Sequence, residues 1–122
     1  MYEVFVEQFF EAAHFLRGYQ GKCENVHGHR YSVVVRIKSA KINEIGLAYD
    51  FTEVKKHLRE VLGSYDHALL NELPPFDKIN PSAENIAATI YNRLKDIITD
   101  QSVVMSSVEV RENPHQGVLY TP

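Results

Sequence analysis

The chain has 122 residues, 44% hydrophobic and 24% charged, with a formal net charge of -3, which suits one globular domain over residues 1–122 with a real core and one active site. The slight negative charge gives no electrostatic case for a nucleic-acid partner or an anionic membrane surface. A single cysteine excludes an intrachain disulfide, no apolar run reaches the roughly 20 residues of a membrane helix, and the acid-bearing N-terminus is unlike a secretory leader, so a cytoplasmic protein is expected.

In chain order, Tyr2 to Ala13 sets Phe5, Glu7, Phe9 and Glu11 against Val4, Val6, Gln8 and Phe10, which predicts a strand with at least one irregularity. Tyr31 to Ala40 (YSVVVRIKSA) predicts a second. From Phe51, the spacing of Phe51, Val54, Leu58, Val61 and Leu62 is helical, with Asp50 and Glu53 resembling a capping box and Gly63 ending the helix. After a turn-rich segment from Tyr65 to Asn80, Asn80 as N-cap and Pro81 at the first helical position open a second helix through about Thr99. Its buried face is Ile86, Ile90, Leu94, Ile97 and Ile98. Val103 to Glu112 and Gly117 to Tyr120 read as the third and fourth strands. The order ββααββ describes an α+β protein with antiparallel strand pairs beside two helices. Such a small sheet has two edges that need cover, so oligomerisation is expected.

The chemistry concentrates in Cys23-Glu24-Asn25-Val26-His27-Gly28-His29. His27 and His29, two apart at the mouth of a strand, point to one face. His14 closes the first strand and reaches the same spot if the first two strands form an antiparallel hairpin. Three imidazoles with an open position match a catalytic zinc site, whereas structural zinc takes four ligands and favours thiolates. Cys23 is placed to be either a fourth ligand or an acid/base group. In the second role it needs a partner for its proton, and Asp66-His67 is a candidate. Glu112, at a strand end, is either a solvated carboxylate or an anchor for an aminopyrimidinone ring.

Six blocks now stand in order along nearly the whole chain: FEAAH (10–14), C-x-x-x-HGH (23–29), YDF (49–51), DHALLN (66–71), NPSAEN (80–85) and VEVRE (108–112). Together they resemble the 6-pyruvoyl-tetrahydropterin synthase and 6-carboxy-tetrahydropterin synthase superfamily. The resemblance implies a tunnelling fold (T-fold), whose sheets join into a barrel-shaped trimer, with two trimers stacked as a hexamer. It implies Zn2+ on His14, His27 and His29, and 7,8-dihydroneopterin triphosphate as substrate. It also implies proton transfer by Cys23 with Asp66 and His67 from a neighbouring subunit, and a pterin ring gripped by Glu112. Ser82 and Glu84 fall where the family has further pterin-pocket residues, although Glu84 equally suits a helix first turn.

Three residues between Cys23 and His27 resemble the bacterial carboxy-tetrahydropterin branch, which serves the route to queuosine. Glu24 complicates this assignment. A branch making 6-hydroxymethyl-7,8-dihydropterin for folate has Glu at this position and lacks the Cys, whereas this chain has both, like a proposed dual-activity group. The competing expectations are 6-pyruvoyl-tetrahydropterin synthesis, a non-catalytic pterin- or zinc-binding paralogue and, more remotely, a zinc hydrolase.

Overall fold

In the computed structural model, which describes residues 1–122, the elements are β1 (Tyr2–His14), β2 (His27–Ser39), α1 (Phe51–Gly63), β3 (Ala68–Leu69), α2 (Ala83–Ile97), β4 (Val103–Asn113) and β5 (Gln116–Tyr120). Beyond the exposed Tyr2 the alternation in β1 holds: Val6, Phe10, Ala12 and His14 are buried, while Phe5, Glu7, Phe9 and Glu11 are exposed. Its antiparallel ladder with β2 runs unbroken from Tyr2 opposite Ser39 to His14 opposite His27. The irregularity expected in the first strand is absent because Phe9 remains on the outer face, with the Arg30 guanidinium 4.3 Å from its ring centre. The register shifts instead between β2 and β4, at Arg36/Ile37. The second strand also begins earlier than expected, at His27, because pairing with β1 carries it across Gly28.

The sheet has five strands in the order β3-β1-β2-β4-β5. The unexpected strand is β3, two residues parallel to β1 at Ala12 and Ala13, too short to leave an alternation pattern. Both helices lie on the inner face, where Val6, Phe10, Val33, Val35, Val108 and Val110 join their apolar stripes in one core cluster. Helix α1 follows the expected bounds, with the Asp50 carboxylate accepting from the Thr52 N–H at 2.8 Å. Its Phe51, however, is exposed.

Helix α2 corrects the sequence reading at both ends. Its N-cap is Ser82, whose hydroxyl accepts from the Asn85 N–H, and it stops at Ile97 rather than about Thr99. Asn80 cannot cap it because that side chain is engaged with the backbone of Arg17. No helix is long and apolar enough to cross a membrane.

The β4–β5 hairpin is closed by a tight approach at Gly117, where an added Cβ would lie 2.6 Å from the Val110 carbonyl oxygen and 3.0 Å from the Arg111 Cα. Those backbone atoms belong to the ladder and cannot move independently. Gly117→Ala is expected to lower stability by about 1–3 kcal/mol. Gly63→Ala, whose Cβ would enter open space at a helix end, should be neutral or stabilising by up to about 1 kcal/mol. Urea denaturation midpoints of the two variants check this contrast.

Candidate active site

Antiparallel pairing places His14 directly opposite His27 on the inner face, and the pleat adds His29 two residues along the same strand. One ring nitrogen from each lies within 4.8 Å of the others. The rings meet edge to face, with centroids 4.6, 5.1 and 4.9 Å apart for the pairs 14–27, 14–29 and 27–29.

Hydrogen bonding sets the tautomers of two of them. His14 Nδ1 lies 2.7 Å from the Pro81 carbonyl, and His27 Nδ1 lies 2.7 Å from the Asn25 carbonyl. A carbonyl can only accept, so in both rings Nδ1 carries the proton and, in the neutral form, Nε2 presents a lone pair. These two Nε2 atoms are 3.0 Å apart. Two facing lone pairs at that distance need an electrophile between them. His29 Nε2 is also buried and has no hydrogen-bond partner.

The donor set fits a metal ion such as zinc: tetrahedral ligands at about 2.0–2.1 Å are roughly 3.3 Å apart, close to the spacing of the first pair. Backbone carbonyls behind two of the imidazoles supply the outer support such ligands normally have. Burial is the main cause that lowers the pKa of both His14 and His29 below the ordinary imidazole range, which favours the neutral, ligating form.

Glu112, at the end of β4, directs Oε2 to within 3.5 Å of His29 Nε2 and accepts from Gln116 Nε2 at 3.2 Å. Tyr31, two residues beyond His29 on the same face, packs its ring 5.4 Å from His29 and 5.8 Å from His14. Burial and the nearby Glu112 charge raise its pKa, so the hydroxyl stays protonated. Period-two spacing from His29 was enough to find Tyr31. The Pro81 and Asn25 carbonyls have no side-chain signature, and no sequence signal pointed to them.

The remaining candidates lie around this cluster. Cys23, half-buried on a 3₁₀ turn at Lys22–Glu24, is not among the converging ligand groups, so the structure does not make it a fourth ligand. Glu24 beside it is exposed. Asp66 and His67 form a dyad, with His67 Nδ1 2.9 Å from Asp66 Oδ2, and the other Asp66 oxygen accepts from the Glu11 N–H at 2.9 Å. That backbone hydrogen bond is the main cause holding the Asp66 carboxyl below its ordinary range, and His67 adds to it. The His67 ring is largely exposed and the Asp66 carboxylate partly so, and no hydrogen bond joins either to Cys23 within one chain. Ser82 spends its hydroxyl on the α2 cap, and Glu84 is exposed in the first turn of that helix.

Three convergent imidazoles and a facing carboxylate, at one end of a sheet covered by two helices, define a tunnelling-fold enzyme with a site able to hold a metal ion. The chain belongs to the 6-pyruvoyl tetrahydropterin synthase family, whose model matches residues 3–122. It is similar to the 6-carboxy-5,6,7,8-tetrahydropterin synthases of Bacillus subtilis (30% identity, 99% of this chain and 86% of the relative) and Synechocystis (34%, 98% and 93%). Its fold matches the 6-pyruvoyl tetrahydropterin synthase of Caenorhabditis elegans with a TM-score of 0.83 at 29% identity, covering 100% of this chain and 97% of that one. A Plasmodium vivax 6-pyruvoyltetrahydropterin synthase, solved with a catalytic glutamate replaced by alanine, matches with a TM-score of 0.79 at 25% identity over 99% and 97% of the two chains.

The lowered imidazole pKa values have a consequence for the metal-free protein. A group harder to protonate when folded contributes its full stability above the unfolded value of 6.5 and loses it as pH falls towards the folded value. The melting temperature of the metal-free chain is therefore expected to decline as pH is lowered from 7 through 6.5 and below. His14→Ala should reduce that decline, as melts across a pH series will read.

Proposed function

We propose that the protein is a zinc-dependent 6-carboxy-5,6,7,8-tetrahydropterin synthase. It converts 7,8-dihydroneopterin triphosphate and water to 6-carboxy-5,6,7,8-tetrahydropterin, acetaldehyde and triphosphate, on the route to queuosine. The observation that carries this reading is the convergence of His14, His27 and His29 beside Glu112 in a chain that also keeps Cys23, Asp66 and His67. The curated relatives of the carboxy branch support the product.

His14, His27 and His29 would hold the ion. When bound, zinc supplies a Lewis acid that polarises the substrate's side-chain oxygens and favours proton loss at the adjacent carbon. Glu112 grips the pterin ring through its amino and ring N–H donors, which fixes the side chain over the imidazole cluster. Cys23 moves the proton as general base or acid, and Asp66 orients His67 to set the thiol's protonation state. The dyad that serves Cys23 comes from a neighbouring subunit, as the family resemblance implies, and within one chain no hydrogen bond joins it to Cys23. The active unit is a homohexamer of single-domain subunits in the cytoplasm. Ser82 and Glu84 border the pterin pocket at the start of α2.

Glu24 supports a second product. It adjoins Cys23 on the same turn, and a catalytic glutamate is known for the Plasmodium vivax relative. A thiol and a carboxyl differ by about four units in reference pKa, so they favour different proton transfers, and Glu24 directs part of the flux to 6-hydroxymethyl-7,8-dihydropterin. The alternative within the family is 6-pyruvoyl-tetrahydropterin, formed by triphosphate elimination without loss of carbon. Similarity to the Dictyostelium discoideum 6-pyruvoyl enzyme, 34% over 82% of this chain, keeps it in view.

Mass spectrometry of all products from purified protein and dihydroneopterin triphosphate tests these readings. Cys23→Ala is expected to retain zinc and lose carboxy product by about 10²–10⁴-fold, whereas Glu24→Ala removes chiefly the hydroxymethyl product. Glu112→Gln should raise KM by about 10- to 100-fold, because a donor would replace an acceptor facing donors. A pyruvoyl product alone would reassign the branch. Full zinc occupancy in His27→Ala or His29→Ala would remove the metal site.

A further inference from the structure

Residues 15–26, which connect His14 to His27 and carry Cys23, have no strand partner of their own. Buried or half-buried backbone groups must still be paired. Two asparagines provide the pairing. The Phe15 N–H donates to Asn71 Oδ1 at 3.0 Å, and Asn71 Nδ2 donates to the Phe15 carbonyl at 2.9 Å. Two residues on, the Arg17 N–H donates to Asn80 Oδ1 at 2.8 Å, and Asn80 Nδ2 donates to the Arg17 carbonyl at 2.9 Å. Each carboxamide offers one accepting and one donating end, so it pairs with a residue's backbone as a neighbouring strand would.

Leu16 lies between the two clamped residues, and its N–H donates to the Cys23 carbonyl at 2.8 Å. The backbone of Cys23 is therefore tied to the one loop residue whose neighbours are both held. Arg17 closes the arrangement by donating to the carbonyls of Asn71 (3.2 Å), Phe76 (2.9 Å) and Ile79 (3.3 Å). The Asn80 carbonyl accepts from Asn85 Nδ2 at 2.8 Å, Pro81 accepts from His14, and Ser82 caps α2. One short segment thus references both the metal ligand His14 and the Cys23 turn to the start of the same helix.

We propose that Asn80 and Asn71 are positioning residues for Cys23, clamping the loop on either side of Leu16 so that the thiol keeps a fixed relation to the imidazole cluster. The catalytic consequence rests on the role given to Cys23 above. The geometric consequence does not, and because Cys23 is the only cysteine, alkylation reports on it alone.

The test compares the wild-type zinc protein with Asn80→Ala, Asn80→Asp and a core control, Leu94→Ala, which destabilises the fold away from the loop. Rates of Cys23 alkylation by iodoacetamide, zinc content, kcat and KM are measured for each. Asn80→Ala is expected to keep zinc and a near-normal KM, change the alkylation rate several-fold, and lower kcat by about 10- to 100-fold. Asn80→Asp keeps the acceptor for the Arg17 N–H but cannot donate to the Arg17 carbonyl. It sets a second carboxylate oxygen against that carbonyl, so its alkylation rate should change at least as much as in Asn80→Ala, and it carries the comparison if the alanine variant does not fold. Leu94→Ala should alkylate at the wild-type rate. Unchanged alkylation in both Asn80 variants, or an equal change in Leu94→Ala, overturns the proposal. Retained turnover in Cys23→Ala would instead remove the catalytic role of Cys23, with alkylation still deciding whether the clamps position it.

Discussion

The site depends on a single buried hydrogen bond, from His14 Nδ1 to the Pro81 carbonyl. An imidazole that is 1% exposed cannot leave its N–H unpaired without a penalty of about 1–3 kcal/mol, and pairing it with a carbonyl decides the tautomer. The Nε2 lone pair is then committed to the inner face of the sheet. The β1–β2 register brings His27 opposite, and the pleat adds His29. The position of α2 and the donor geometry of the site are therefore a single problem, because Pro81 immediately precedes the Ser82 cap.

The segment between the helices acts as a substitute strand along the end of β1. The Asp66 carboxylate takes the Glu11 N–H, the His67 N–H donates to the Glu11 carbonyl, and β3 pairs with Ala12 and Ala13. Asn71 and Asn80 then serve Phe15 and Arg17. Side-chain carboxylate, backbone, side-chain amide and side-chain amide follow one another, so edge cover continues where β structure has ended. The opposite face of the sheet lacks a helical layer, and Phe5 and Phe9 remain exposed there beneath the guanidinium groups of Arg36 and Arg30.

Much of this was readable in the chain, and the failures have a common cause. Period-two spacing located β1 and the core of β2, and the Asp50 cap with its apolar stripe gave α1 its bounds. The imidazole cluster followed from H-x-H plus one hairpin pairing. Local capping rules failed at Asn80 because its amide prefers Arg17, far away in sequence, and a long-range partner overrides a nearby helix end. The two-residue β3 was invisible because its pairing is imposed by the turn, not by propensity. Pro81 and Asn25 act through carbonyls, which every residue has, so side-chain identity carries no trace of them. Cys23 and the Asp66-His67 dyad were legible as residue types, but no hydrogen bond joins them within one chain.

His67 has φ +58°, the left-handed region that L side chains adopt at a cost, and histidine is among the residues that tolerate it better than most. Its backbone N–H and imidazole are both engaged at the edge of β1, so the position answers to two requirements at once, one conformational and one chemical. An alanine scan confounds them, since alanine removes the ring and also bears the left-handed penalty of about 1–2 kcal/mol. Glycine removes the ring while relieving the backbone, and asparagine accepts the backbone while offering a different polar group. Only the glycine and asparagine replacements, read side by side, separate the shape of this corner from the chemistry of its ring.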